Sequence, residues 1–137
     1  LLELIVVIII LGILATLGMQ QYFRVVEKSR SAEAKQVIGQ IREAGAARYT
    51  ETNTLTGAVA ADFGIGASTG LIPSACRSSN YFSYTAAGTA TGLTATATRC
   101  MGTNGRTPGY SSAATVRLTV ELGSAASDTW AYDAAYQ

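Results

Sequence analysis

The chain has 137 residues, enough for one domain, and a formal net charge of +1, which exerts no strong pull toward nucleic acid. It contains no histidine and only two cysteines, which removes histidine-based nucleophilic systems and the commonest metal ligand, and two cysteines cannot make a zinc site alone. The charge is unevenly placed: Glu3 alone in residues 1–23, six basic and four acidic side chains in 24–51, and four of each sign in 52–137.

The first element is LLELIVVIIILGILATLGM. Residues Leu4 to Met19 pass without a charge. As a helix, Leu1–Met19 spans about 28 Å, close to the ~30 Å hydrocarbon thickness of a bilayer. It is apolar on every side, so lipid or protein must cover all of it. It does not read as a secretory signal, having neither a basic n-region nor a small-residue cleavage site. Gly12 and Gly18 weaken the helix by about 1 kcal/mol each relative to alanine.

The character changes after Met19, but nothing ends the helix. Residues 20–51 hold no proline and many helix formers. Arg24, Glu27, Arg30 and Glu33 make a ladder of alternating sign at i+3 spacing, expected on an exposed face. Ala34, Val37, Ile38, Ile41, Gly45 and Arg48 follow the helical period and form a one-sided apolar stripe, with Arg48 lying down by its alkyl stem. Gly39 and Gly45 are expected to let a sheet approach; the alternative is that they let neighbouring helices approach in an assembly. One helix of roughly 75 Å therefore runs to about Thr50, apolar over 1–23 and amphipathic over 24–51. A head of this size can hide the second half but not the first.

Residues 52–79 read as a long connection punctuated by Gly57, Gly64, Gly66, Gly70 and Pro73, with a short helix near Val59–Phe63. Strand patterns fill 80–137. Tyr81–Ala86 is rich in aromatics. Leu93–Cys100 alternates, with Leu93, Ala95 and Ala97 on one face and Thr94, Thr96 and Thr98 on the other. Ala114–Leu122 alternates again through Val116, Leu118, Val120 and Leu122, and Asp128–Tyr132 is a last short strand. These predict an antiparallel sheet with one wet face, laid on the helix: an α+β fold.

Cys76 and Cys100 fall in the Ser/Thr/Gly-rich half. With an amino-terminal membrane anchor this half can be extracytoplasmic, where disulfides persist. Pairing closes a loop of about 25 residues, worth on the order of 3–4 kcal/mol; the alternative is two buried free thiols. Tyr110, Trp130, Tyr132 and Tyr136 are expected in core or interface packing, with Tyr132 and Tyr136 as a weak candidate ligand surface. Arg77, Arg99, Arg106 and Arg117 are a candidate DNA patch, balanced by four acids. Asp62, Asp128 and Asp133 do not have the spacing of an EF-hand loop.

LLELIVVIIILGILATLG resembles the amino-terminal segment of type IV pilins and related filament proteins. In that family an apolar helix follows a processed, N-methylated end and carries one glutamate near its start, which Glu3 matches. Family members have two further residues before the position of Leu1. They also carry a proline eight residues after the glycine matched by Gly12, where this chain has Gln20, so the helix melting seen in many family filaments does not transfer directly. The resemblance covers Leu1–Met19 closely and extends through about Thr50; beyond that it is architectural.

It implies a pilin fold and a structural role: a subunit of an extracellular filament, held in the inner membrane before assembly and then displayed on the cell surface. The partner is the chain itself, as a helical homopolymer, with a separate prepilin peptidase and assembly machinery. Glu3 is implied to pair with the free amino group of a neighbouring subunit and so set register; the alternative is that it sits at the lipid head groups and favours the helix amino terminus. No catalytic residue, cofactor, metal or nucleic-acid partner is expected. The alternative is a pseudopilin of a type II secretion system, forming a short periplasmic rod. Major pseudopilins often hold calcium in a carboxylate-rich terminal loop, and SDTWAYDAAYQ has two Asp and no close acidic pair. The run Arg24, Lys28, Arg30, Lys35 points the other way on topology, since basic residues favour the cytoplasmic side.

Overall fold

A helix that begins in unbroken aliphatic sequence and continues through strong helix formers has no internal reason to stop. The computed structural model of the chain accordingly holds one continuous helix, α1, over Leu2–Thr52. It is unbroken between Gly12 and Gln20. It ends at Asn53, whose backbone lies in the left-handed region at φ 56° and whose N–H donates to the Tyr49 carbonyl at 2.8 Å. Asparagine tolerates that conformation and stops the helix there. The structure describes residues 1–66, 72–106, 112–123 and 126–137; Gly70 and Tyr110 lie outside them.

The connection behaves as expected at its start. A 3-10 turn covers Ala60–Phe63, and the Asp62 carboxylate accepts a hydrogen bond from Val59 N–H at 2.8 Å while pairing with Arg48 at 2.9 Å. Arg48 therefore ties the connection to the helix end by its charge as well as lying along the stripe. Two short strands were not expected: β1 (Ile65–Gly66) and β2 (Ile72–Pro73) pair in parallel. Two residues each carry too little pattern to be read.

The main sheet contains β3 (Phe82–Gly88), β4 (Gly92–Arg99), β5 (Thr115–Glu121) and β6 (Ser127–Tyr132), in the order β3-β4-β5-β6, all antiparallel. Register puts Ala95 between Ala86 and Leu118, and Leu118 beside Trp130. The alternation expected in β4 and β5 is present: Leu93, Ala95, Ala97, Val116, Leu118 and Val120 are buried. They pack on Ala34, Ile38 and Ile41 of α1, with Leu55, Phe63 and Phe82 closing the core. The layout is α+β, one long helix on a small antiparallel sheet, consistent with the pilin fold.

Gly45 and Gly39 part company. A Cβ at Gly45 would overlap the Leu93 side chain, so this glycine is where β4 comes close to α1. Around Gly39 the space is open, which corrects the expectation that it, too, admits the sheet. Cys76 and Cys100 form a disulfide with Cα atoms 5.6 Å apart, fastening the segment before β3 to the end of β4.

Candidate functional site

The two halves of α1 meet the head very differently. From Leu1 to Val25 every residue is exposed. Leu4 keeps 70% of its surface, Ile8 63% and Leu17 60%. The buried positions begin only at Glu27 and run Glu27, Ser31, Ala34, Ile38, Ile41, Gly45, at alternating steps of four and three. The head therefore grips one narrow seam on the second half and leaves the first half bare. A bare surface of this kind marks an interaction with lipid or protein, and the segment is long and apolar enough to cross a membrane.

Glu3 lies near the tip of the rod, exposed. No described side chain pairs with it. The next charged side chain along the helix is Arg24, 21 residues on, which at the helical rise is about 31 Å away. Glu3 can therefore find no side-chain cation within its own rod. Gly12 and Gly18 have open space where a side chain would stand. Tyr22 and Phe23 pack edge to face with ring centroids 6.1 Å apart, both exposed.

Where the head begins to grip, the sequence pattern misplaces Glu27 and, less completely, Arg30. Glu27 is not part of an exposed ladder: it is 7% exposed and faces Arg99, itself 1% exposed. Arg99 donates Nε to Glu27 Oε2 at 3.1 Å and Nη2 to Oε1 at 3.2 Å, a two-pronged pair. Arg30 reaches the same carboxylate from the next turn. Arg99 also donates to the backbone carbonyls of Tyr81 and Cys100, at 3.1 and 3.3 Å. The guanidiniums of Arg30, Arg99 and Arg106 lie 4.4, 5.0 and 5.1 Å from the Tyr81 ring centre. This buried junction pulls Arg99 out of the candidate DNA patch, while Arg117 is exposed on the outer sheet face.

The remaining candidates separate. Tyr136 is buried, its ring 6.2 Å from Phe82, so it belongs to the core and not to a ligand surface. Trp130 and Tyr132 stack with rings 2° from parallel. Asp62 is engaged as described. Asp128 pairs with Arg42 at 2.8 Å, and Asp133 accepts from Thr115 N–H at 2.6 Å. Each carboxylate thus has its own cation or N–H, and among the described residues no three His, Cys, Asp or Glu side chains gather to hold a metal. Burial, reinforced by the Glu33 carboxylate, pushes the Tyr84 phenol well above its usual range.

No family model, curated protein or solved structure matches the chain.

Proposed function

We propose that the chain is the structural subunit of an extracellular type IV pilus-like filament, assembled through residues 1–23 of α1 with Glu3 setting the register. The observation that carries this reading is the bare rod: the buried positions of α1 begin at Glu27, and every residue from Leu1 to Val25 is exposed. Once outside lipid, so much aliphatic surface is stable only when sister rods bundle around it. The length of the rod, about 28 Å from Leu1 to Met19, equally suits residence in the inner membrane before assembly.

Glu3 supplies what aliphatic contacts lack. Apolar packing is non-directional and tolerates many staggers. A carboxylate in an apolar bundle is tolerated only where a cation meets it, and its own rod offers no side-chain cation within about 31 Å. A neighbour's free amino terminus, as the pilin resemblance implies, satisfies it at one stagger only. The disulfide suits a head displayed outside the cytoplasm.

Electron microscopy of material sheared from the cell surface tests the reading. Helical filaments containing the chain are expected, with Glu3→Ala lowering yield or changing the helical symmetry. Short rods confined to the periplasm would move the chain to the secretion class. Solitary monomers in the absence of detergent, with the rod folded against its own sheet, would end both.

A further inference from the structure

We propose that the groove where α1 leaves the head binds the phosphodiester of an anionic membrane phospholipid, with Arg24 and Lys28 as its cationic ligands. The proposal rests on residues 1–23 spanning a bilayer and is independent of polymerisation. The groove has a volume of about 670 Å³; Phe23, Arg24 and Lys28 form its helix wall, and Ala134, Ala135 and Gln137 form the wall opposite.

Four cations follow the apolar segment, and the structure divides them. Arg30 is held by Glu27 and lies over the Tyr81 ring. The Lys35 ammonium lies 4.6 Å from the centre of the Tyr132 ring. Arg24 and Lys28 are exposed and make no ion pair among the described residues. Four residues apart, they share one helix face. The acid on the same wall, Glu27, has both oxygens engaged by Arg99 and Arg30, so it does not cancel them.

Depth supplies the occupant. If residues 1–23 fill a hydrocarbon layer of about 30 Å, the next turn of helix, 24–28, stands at the level of the lipid phosphates. Tyr22, an amphipathic ring of the kind that collects at that height, precedes it with Phe23 packed against its edge. A guanidinium offers two parallel donors to phosphate oxygens and an ammonium adds a point charge. A phosphodiester bearing an uncharged alcohol fits two cations; a choline head group would bring a third positive charge to them.

The test uses the full-length chain in detergent micelles with an equal mixture of phosphatidylglycerol and phosphatidylcholine, reading retained lipid by native mass spectrometry. Preferential retention of phosphatidylglycerol is expected. Arg24→Gln/Lys28→Gln should cut that preference roughly tenfold or more, whereas the charge-matched Arg77→Gln/Arg117→Gln should keep it. Unchanged Trp130 fluorescence shows that each variant's head is folded. Equal retention of both lipids, or equal loss in both double variants, overturns the proposal. So does displacement of the lipid by inorganic phosphate, which would make the groove a simple phosphate site. Flotation with vesicles is scored separately: a chain that does not float removes the bilayer reading beneath the proposal, while one that floats without preference removes the groove alone.

Discussion

The two halves of α1 have the same backbone and opposite surroundings. Over Leu1–Val25 every residue is exposed. Over Glu27–Gly45 one residue in every three or four is sealed under the sheet. The difference does not lie in helix propensity, because the helix is continuous through both. It lies in whether apolar residues form a stripe or a sleeve. A stripe can be satisfied by one small sheet; a sleeve requires neighbours all round. The junction between the two is made of charge, Glu27 held by Arg99 and Arg30, and the far end of the seam is Gly45 fitted against Leu93.

The strongest way to break the comparison is to cut that junction. Arg99→Ala leaves the Glu27 carboxylate buried with only Arg30 beside it, and removing one partner of a buried pair costs about 3–5 kcal/mol. Urea unfolding of the full chain in micelles reads this directly, because Trp130 is the sole tryptophan and sits on β6. The double variant Glu27→Leu/Arg99→Met should lose less than Arg99→Ala, since neither member of the buried pair is left behind and Arg30, which loses Glu27, is only part-buried and keeps its place over the Tyr81 ring. If Arg99→Ala leaves the midpoint unmoved, the ion pair does not anchor the helix to the head.

Much of this arrangement was legible beforehand, and what was missed follows from one choice of face. The seam Ala34, Ile38, Ile41, Gly45 was visible in its spacing. Stepping back from Ala34 by three and then four reaches Ser31 and Glu27, but the alternating charges of Arg24, Glu27, Arg30 and Glu33 read more simply as a solvated ladder. A second signal was available in β4. The alternation that places Leu93, Ala95 and Ala97 inward also places Arg99 inward, and a buried arginine requires a carboxylate. Gly39 failed differently: sequence shows a glycine in a helix but not which face of the helix it occupies relative to a sheet not yet placed. The two-residue strands β1 and β2 lie below the length at which periodicity exists. The exposed rod was legible in outline from composition alone; the identity of what covers it is not written in one chain.

The disulfide separates the halves by a milder route. It closes a loop across residues 24 apart, so removing it should lower head stability by roughly 3–4 kcal/mol in the chain-entropy view. Cys76→Ser/Cys100→Ser, compared with the oxidised chain, should move the Trp130 transition to lower urea. Helicity of residues 1–23 in micelles should persist, because the bridge touches no part of the rod. A loss of rod helicity on reduction would mean that the two halves are not independent.

Alkaline pH should act on the head alone. Tyr84 is buried, and burial together with Glu33 raises its phenol above the unfolded value of about 10. Its contribution is fully present below pH ~10, where folded and unfolded chains are both neutral. Above that, the unfolded state loses its proton and the folded state keeps it. Stability then falls with a slope of up to about 1.4 kcal/mol per pH unit for this one group. Tyr84→Phe should flatten that part of the curve in urea titrations at high pH. An identical slope in the variant would assign the loss to other groups.

The smallest effects sharpen the comparison within the seam itself. Gly39 and Gly45 lie six residues apart on one helix, and alanine gains about 1 kcal/mol of helix propensity at either. At Gly39 nothing stands in the way, so Gly39→Ala should stabilise the head by up to that amount. At Gly45 the new methyl group collides with Leu93, and the gain must be set against about 1–3 kcal/mol of overpacking. Leu93 Cδ2 is the far end of a side chain, but Leu93 is buried in the core with little room to turn, so a net loss of up to about 2 kcal/mol is expected. Opposite signs at these two glycines would show that the sheet presses on α1 at Leu93 and leaves the face carrying Gly39 free. The same sign at both would place the head differently on its helix, and the boundary between gripped and bare halves would have to be redrawn.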